Sequence, residues 1–266
     1  MRFLFCLVVS SLFSTFGPAV AQDQPASAQI ESWPQAKVVA MGREIYRQDR
    51  AAWLATDALL AAHARSELSD IRGWIVVPAS TGDVVRFLAA DDAGVRARWD
   101  VPVDSEGAGP VREVSESALP PEDLARWTAR QTAIANSDPV RCGPALNSVV
   151  ARDPDGPGWL VWLLTATTQD GVIPIGGHQR LRISADGRIL ISRERLSAAC
   201  LNLTRPDGAD GATIPFVTHI VSDGPVETHV FLSIQNQTVI FVGTKDKLFA
   251  VEGDHISEQA MPQPAP

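Results

Sequence analysis

From Asn147 to Gly253 the chain is a succession of short apolar runs cut by turn-forming pairs. The runs read NSVVARD, WLVWLLTATT, VIPIGGHQRLRIS, RILISRERLS, IPFVTHIVS, ETHVFLSIQ, TVIFVGT and KLFAVEG. Between them stand Asp153-Pro154-Asp155-Gly156, Asp170-Gly171, Asp186-Gly187, Asp223-Gly224-Pro225, Asn236-Gln237 and Lys245-Asp246, residues that bend a chain through positive φ, fixed φ or local side-chain bonds. Parallel strands need a crossover of a dozen or more residues, whereas antiparallel strands join through a few. Eight runs with short links therefore predict antiparallel pairing.

The same period appears upstream. GWIVVPAS, VVRFLAADD and VRARWDVPV are separated by Thr81-Gly82-Asp83 and Gly94. In the third run Val95, Ala97, Trp99 and Val101 alternate with Arg96, Arg98 and Asp100, which predicts one dry and one wet face.

Helices are fewer. Prolines at 120 and 121 followed by Glu122 and Asp123 open one, and Asn136-Ser137-Asp138-Pro139 closes it. Leu124, Trp127, Gln131 and Ile134 form its predicted core stripe, with Arg126 and Arg130 off it. Ser32-Trp33-Pro34 opens a short helix that Gly42 is expected to end. Residues 45–64 read two ways: a helix from Asp49 to Ala64 on alanine and leucine content, or two strands about an Asp49-Arg50 turn. The architecture expected is α+β, a curved, mainly antiparallel sheet (a meander) with one or two helices packed on one face.

The first residues carry Arg2, an apolar run from Phe3 to Phe16, a Gly17-Pro18 break and Ala19-Val20-Ala21. This is the form of a secretory signal peptide over residues 1–21, and its apolar run is too short to span a bilayer. The chain is expected to be exported, periplasmic in a Gram-negative host and secreted otherwise. Residues 22–30 read as a flexible lead-in, 31–257 as one α+β domain that offers a sub-division near 104–118, and 258–266 as a disordered tail. No transmembrane segment is expected after cleavage.

Of three cysteines, Cys6 lies in the leader, which leaves Cys142 and Cys200. An even pair in an exported chain predicts a disulfide. Closing a loop of about 60 residues stabilises by about 4 kcal/mol in the chain-entropy account. The formal net charge is −8, and no basic stripe offsets it, so nucleic acid is excluded as a partner.

The chain lacks H-E-x-x-H, G-x-S-x-G, S-x-x-K, G-x-x-x-x-G-K-[ST] and G-x-G-x-x-G, and with them the familiar zinc peptidase, α/β-hydrolase, penicillin-binding and nucleotide sites. Chemistry is then sought in histidine. If 216–222 and 227–235 are antiparallel strands, His219, Glu227 and His229 converge near the turn between them. The glycine pair Gly176-Gly177 marks a bulge or close backbone approach that re-aims His178. His178, His219, His229 and Glu227 would make a zinc set with an open position. Without metal, His229 oriented by Glu227 would be a general base. His178 with Arg180 and Arg182 on one face would hold a small anion. Each histidine has a plainer reading, as a hydrogen-bonded strand residue. His63 and His255 are expected at the surface. Trp159 and Trp162, three apart on one strand, are expected on opposite faces, chiefly as core.

The favoured reading is a non-catalytic binding or envelope-associated module, its ligand a protein or a small anion. A hydrolase is the alternative, metal-dependent or using His229 and Glu227. No cofactor is expected beyond that candidate zinc.

Overall fold

One continuous helix organises the molecule. In the computed structural model α1 runs Gln35–Ala62 without a break, absorbing both the expected short helix and the ambiguous stretch after it. Gly42 does not end it. The position is buried within the helix, and a Cβ there would meet Val230 Cβ at 2.5 Å and the Glu227 carbonyl oxygen at 2.9 Å. Glycine costs a helix interior about 1 kcal/mol, and here it lets a second helix cross at close range.

The structure describes residues 29–92, 94–114, 118–167, 169, 171–204 and 215–261. The expected signal peptide, residues 22–28 of the lead-in, residues 115–117 of the expected sub-division and 262–266 of the tail lie outside them. The last lead-in residue is packed: Ile30 is buried and its N–H donates to the Val221 carbonyl at 3.0 Å. The start of the expected tail is a strand that ends at Gln259.

The fold is α+β, with three helices and mainly antiparallel sheets among the described residues. The strands do not form one continuous meander but four sheets. The first is β1 (Ile71–Pro78), β2 (Asp83–Asp91), β3 (Gly94–Val103) and β4 (Arg112–Glu113) in sequence order. After α2 (Pro121–Ala135) come β5 (Leu146–Arg152), β6 (Trp159–Thr165), β7 (Val172–Pro174), β8 (Gln179–Ile183), β9 (Leu190–Arg195) and β10 (Asn202–Thr204). They make a sheet of order β5-β6-β8-β9 and a β7–β10 ribbon. The last sheet joins β11 (Phe216–Thr218), β12 (Val239–Gly243), β13 (Leu248–Glu252) and β14 (His255–Gln259).

Helices cover both faces of the β1–β4 sheet and of the β5-β6-β8-β9 sheet. On the first sheet Trp99 and Val101 pack with Ala51, Ala52, Ala55 and Leu59 of α1. A one-residue register slip at Phe87–Leu88 turns Ala97 to the other face, against Trp127 of α2. On the second sheet Trp162 faces α1 and α3 while Trp159 faces α2. Both tryptophans are fully buried, on the opposite faces their spacing implied. The open edge of β5 is closed by a side chain: the Gln48 amide donates to the Val150 carbonyl at 3.0 Å and accepts from its N–H at 3.4 Å, so a buried strand edge is satisfied without a further strand.

Two expectations about helices change. On α2 the buried face carries Asp123, Arg126, Trp127, Ala129 and Ala133, while Leu124 and Ile134 are exposed. Arg126 lies over the Trp159 ring, and Arg130 over Trp74 and Trp127; the aliphatic stems of arginine pack like apolar residues. The larger change is at Glu227–Asn236, which is helix α3 and not a strand. Residues 227–233 are buried all round, so the segment has no wet face from which to read a helical period. The Asn236-Gln237 pair is its C-terminus, with Gln237 in the left-handed region at φ 50°. With a helix between them, β11 and β12 pair in parallel as a strand–helix–strand unit. Among the described residues no helix is long and apolar enough to cross a membrane.

The disulfide is present between Cys142 and Cys200. It sits on the glycine pair: a Cβ at Gly177 would meet Cys142 Sγ at 2.5 Å, and one at Gly176 would meet the Ala199 carbonyl at 2.2 Å. The close backbone approach expected of two glycines is realised here. It splits the single expected strand 172–184 into β7 and β8.

Candidate functional site

Of the histidines and arginines selected from sequence, His178, His219, His229 and Arg180 point inward, while Arg182 is half-buried. Val226 precedes α3, and its N–H donates to His229 Nδ1 at 3.1 Å, so the imidazole caps the helix start. His219 lies beyond β11, its ring edge-on to His229 with centroids 4.9 Å apart. Its Nε2 is 2.8 Å from the Ser222 hydroxyl. His178 Nδ1 accepts from the Thr165 N–H at 3.1 Å, and its Nε2 lies 2.8 Å from the Pro174 carbonyl. That pair of contacts selects the Nε2–H tautomer, in which both ring nitrogens are engaged.

All three rings are buried, and burial holds them neutral. The pKa of His178 is lowered to about 4 and that of His219 to about 4, both chiefly by desolvation. His229 is pushed well below the usual imidazole range by desolvation first and then by its two histidine neighbours. Among the described residues no group of three or more His, Cys, Asp and Glu side chains is arranged to hold a metal ion. His63 is half-buried, its ring 4.1 Å from Trp99; His255 is exposed.

Glu227 belongs to a separate polar node. Its carboxylate accepts from the Trp162 indole at 2.8 Å and from Arg180 Nη1 at 3.1 Å. Arg180 also donates through Nε to Glu194 at 2.7 Å and through Nη2 to the Glu31 carbonyl at 3.1 Å. Its guanidinium carbon stands 3.6 Å from the Trp33 ring centroid. All three guanidinium nitrogens are thus committed inside the protein, tying β8, β9, α3 and the N-terminal segment. Arg182 pairs with Glu31 at 3.0 Å and with Asp153 at 3.3 Å.

The open site lies on the other side of the same elements. Tyr46, Asp49, Trp53 and Thr56 recur at helical spacing and share one face of α1. They line a cleft of about 620 Å3. α3 contributes Phe231, Leu232 and Gln235; β5 contributes Asn147, and β1 contributes Trp74. Leu164, Thr165 and Pro174 complete the floor, and His178 is hydrogen-bonded to the last two. The imidazole picked from sequence is therefore a bracket behind the cleft wall.

Asp49 is the polar centre of this cleft. Its Oδ2 accepts from Gln235 Nε2 at 3.1 Å, and the Asn147 side chain is its second hydrogen-bond partner. Desolvation raises its pKa from 3.8 to about 6, against the opposing pull of those two amides. Sequence reasoning passed over it because both readings of residues 45–64 put Asp49 at an end, as the first residue of a helix or at a turn between strands. The Tyr46–Asp49–Trp53–Thr56 stripe was the available signal, visible once the segment is read as helix throughout.

No protein-family model, curated protein or solved structure matches this chain.

Proposed function

We propose that the chain is an exported, non-catalytic binding protein that takes a small ligand in the cleft between α1 and α3. The observation that carries the reading is the cleft itself: concave, walled by Tyr46, Trp53, Trp74 and Phe231, with Asp49, Asn147 and Gln235 converging at one point. Apolar walls with a few placed polar groups, one of them a carboxyl of perturbed pKa, are the ordinary signature of a ligand site. Export is supported by the leader-like residues 1–21 and by the Cys142–Cys200 disulfide, which belongs to an oxidising compartment.

Hydrolysis receives less support. Asp49 is the single acidic residue lining the cleft among the described residues, whereas glycoside hydrolysis ordinarily uses a pair of carboxyls. His178, His219 and His229 are buried, engaged with the backbone of Thr165 and Pro174, the Ser222 hydroxyl and the Val226 N–H in turn. The anion reading loses its principal donor to the Glu194 and Glu227 carboxylates.

The test is a thermal-shift and tryptophan-emission screen of small molecules on the wild type, Trp53→Ala and Gln235→Ala. A true ligand raises Tm in the wild type and shifts it less in both variants. A broad library in which every stabilising compound acts equally on all three proteins would remove the cleft as the binding site.

A further inference from the structure

We infer that the cleft selects a small organic cation, with its ammonium head on the Asp49 carboxylate and its apolar body against Trp53, Tyr46 and Phe231. The inference rests on the cleft being the binding site and adds the chemical class of its ligand.

The argument starts from how this chain treats buried acids. Asp83, Asp123, Asp138, Asp153 and Glu227 are buried, and each has an arginine within 4 Å: Arg47, Arg86, Arg195, Arg182 and Arg180 in turn. Asp49 departs from that rule. It is half-buried on the lining of an open cleft, and its partners are the neutral amides of Gln235 and Asn147. A carboxylate withdrawn from water seeks a countercharge. Among the described residues no cationic side chain pairs with it, and it lines the cleft.

The walls favour the same ligand. Aromatic faces attract cations through the ring quadrupole. Trp53 is 61 % exposed at the rim, so its ring is accessible. Trp74 already has the Arg130 guanidinium 5.3 Å from its centroid, which makes it a shape-giving wall. A neutral polyol would satisfy oxygen lone pairs at Asp49 yet leave the charge uncompensated in a still drier site. The other titratable groups at the cleft are few. Tyr46 and Arg50 line it from α1, Arg50 donating to the Asp104 carbonyl at 3.2 Å. Arg130 of α2 stands behind Trp74 and donates to the Ser148 hydroxyl at 2.8 Å. α3, β5 and β6 add no titratable group to the lining among the described residues.

The experiment pairs choline with its uncharged carbon isostere, 3,3-dimethylbutan-1-ol, and adds maltotriose as a neutral polyol. Each is titrated by tryptophan emission and by NMR into the wild type, Asp49→Asn and Trp53→Ala. At pH 8 choline should bind the wild type at least about tenfold more tightly than the alcohol. Asp49→Asn should abolish that preference while leaving the alcohol unchanged, and Trp53→Ala should weaken both. In the wild type the preference should shrink as the pH falls below about 6. Equal binding of the two isosteres, or a preference that survives Asp49→Asn, overturns the cation inference. Maltotriose bound in place of choline and weakened by Trp53→Ala overturns it too, but upholds the cleft. If no probe binds, or binding ignores Trp53→Ala, the cleft reading falls with it.

Discussion

Replacing Asp49 by asparagine should make the protein more stable. The native pKa is raised from 3.8 to about 6, so over that interval the folded state holds a proton the unfolded state has released. Stability from this group is fully present below about pH 4 and is lost as the pH rises through 6. A shift of about two units corresponds to about 3 kcal/mol of penalty at pH 7 and above. Asparagine keeps the shape and an acceptor for Gln235 but removes the charge. At pH 8 the variant should gain up to about 3 kcal/mol, or about 6–12 °C in Tm for a chain of this size. The gain should fall to about half at pH 5 and nearly vanish by pH 4. Urea midpoints of both proteins at pH 4, 5 and 8 read this directly, since other titrating groups cancel in the difference. Equal midpoints at pH 8, or a gain that does not change with pH, would refute the claim that Asp49 is a desolvated carboxylate without a countercharge. A stabilising change that costs ligand binding is the ordinary trade-off of a binding site.

The imidazoles act with the opposite sign. His178 and His219 have native pKa values of about 4 and His229 lies lower still, so the unfolded state binds their protons first. Their stability is full above about pH 6.5 and lost as the pH falls, on the order of 1 kcal/mol by pH 5.5 for His178 and for His219; urea melts of the Asp49→Asn protein between pH 7.5 and 5 should show the decline free of the carboxyl. Gly42→Ala should destabilise by about 1–3 kcal/mol through overpacking on Val230, despite its better helix propensity. Combining it with Val230→Ala should recover part of the loss in a double-mutant cycle. Glu227→Ala should cost about 3–5 kcal/mol because Arg180 stays buried with one partner fewer; the double variant Arg180→Met, Glu227→Leu should be much less destabilised in chemical melts.

Strands were legible where burial alternates along the chain. Ala97, Trp99, Val101 and Val103 are buried on β3 between half-buried partners, although the slip beside Leu88 turns Ala97 and Trp99 to opposite faces. Reading failed where burial is uniform. α3 buries Glu227 through Ser233 without interruption, and its Thr, Val and Ile then looked like strand residues. α1 failed for another reason: Gly42 and the polar Gln48-Asp49-Arg50 triplet resemble breaks. Gly42 is a helix crossing and Gln48 closes the β5 edge, and both are demands of tertiary structure that no local pattern contains.

The site follows the same division. Of the residues singled out, His219 meets His229 ring to ring and Glu227 pairs with Arg180, yet a pattern of polar residues in sequence says nothing about which way they face. Here the chain spends them on internal work: His229 caps a helix, His178 braces Thr165 and Pro174, and Arg180 joins four segments. Each is hydrogen-bonded to satisfaction, which is what a buried polar group needs to be structurally neutral. A ligand group is recognised by the reverse condition, a charge whose natural partner is missing. By that criterion Asp49 stands out: the buried carboxylates among the described residues are matched by arginine, while this half-buried one is held by two amides and opens on aromatic walls. Continuity of α1 past residue 45 is what sets Tyr46, Asp49 and Trp53 on one line above α3. The long helix and the proposed binding site are therefore one structural decision, and a kink introduced by Arg50→Pro should abolish ligand response before it abolishes the sheets behind it.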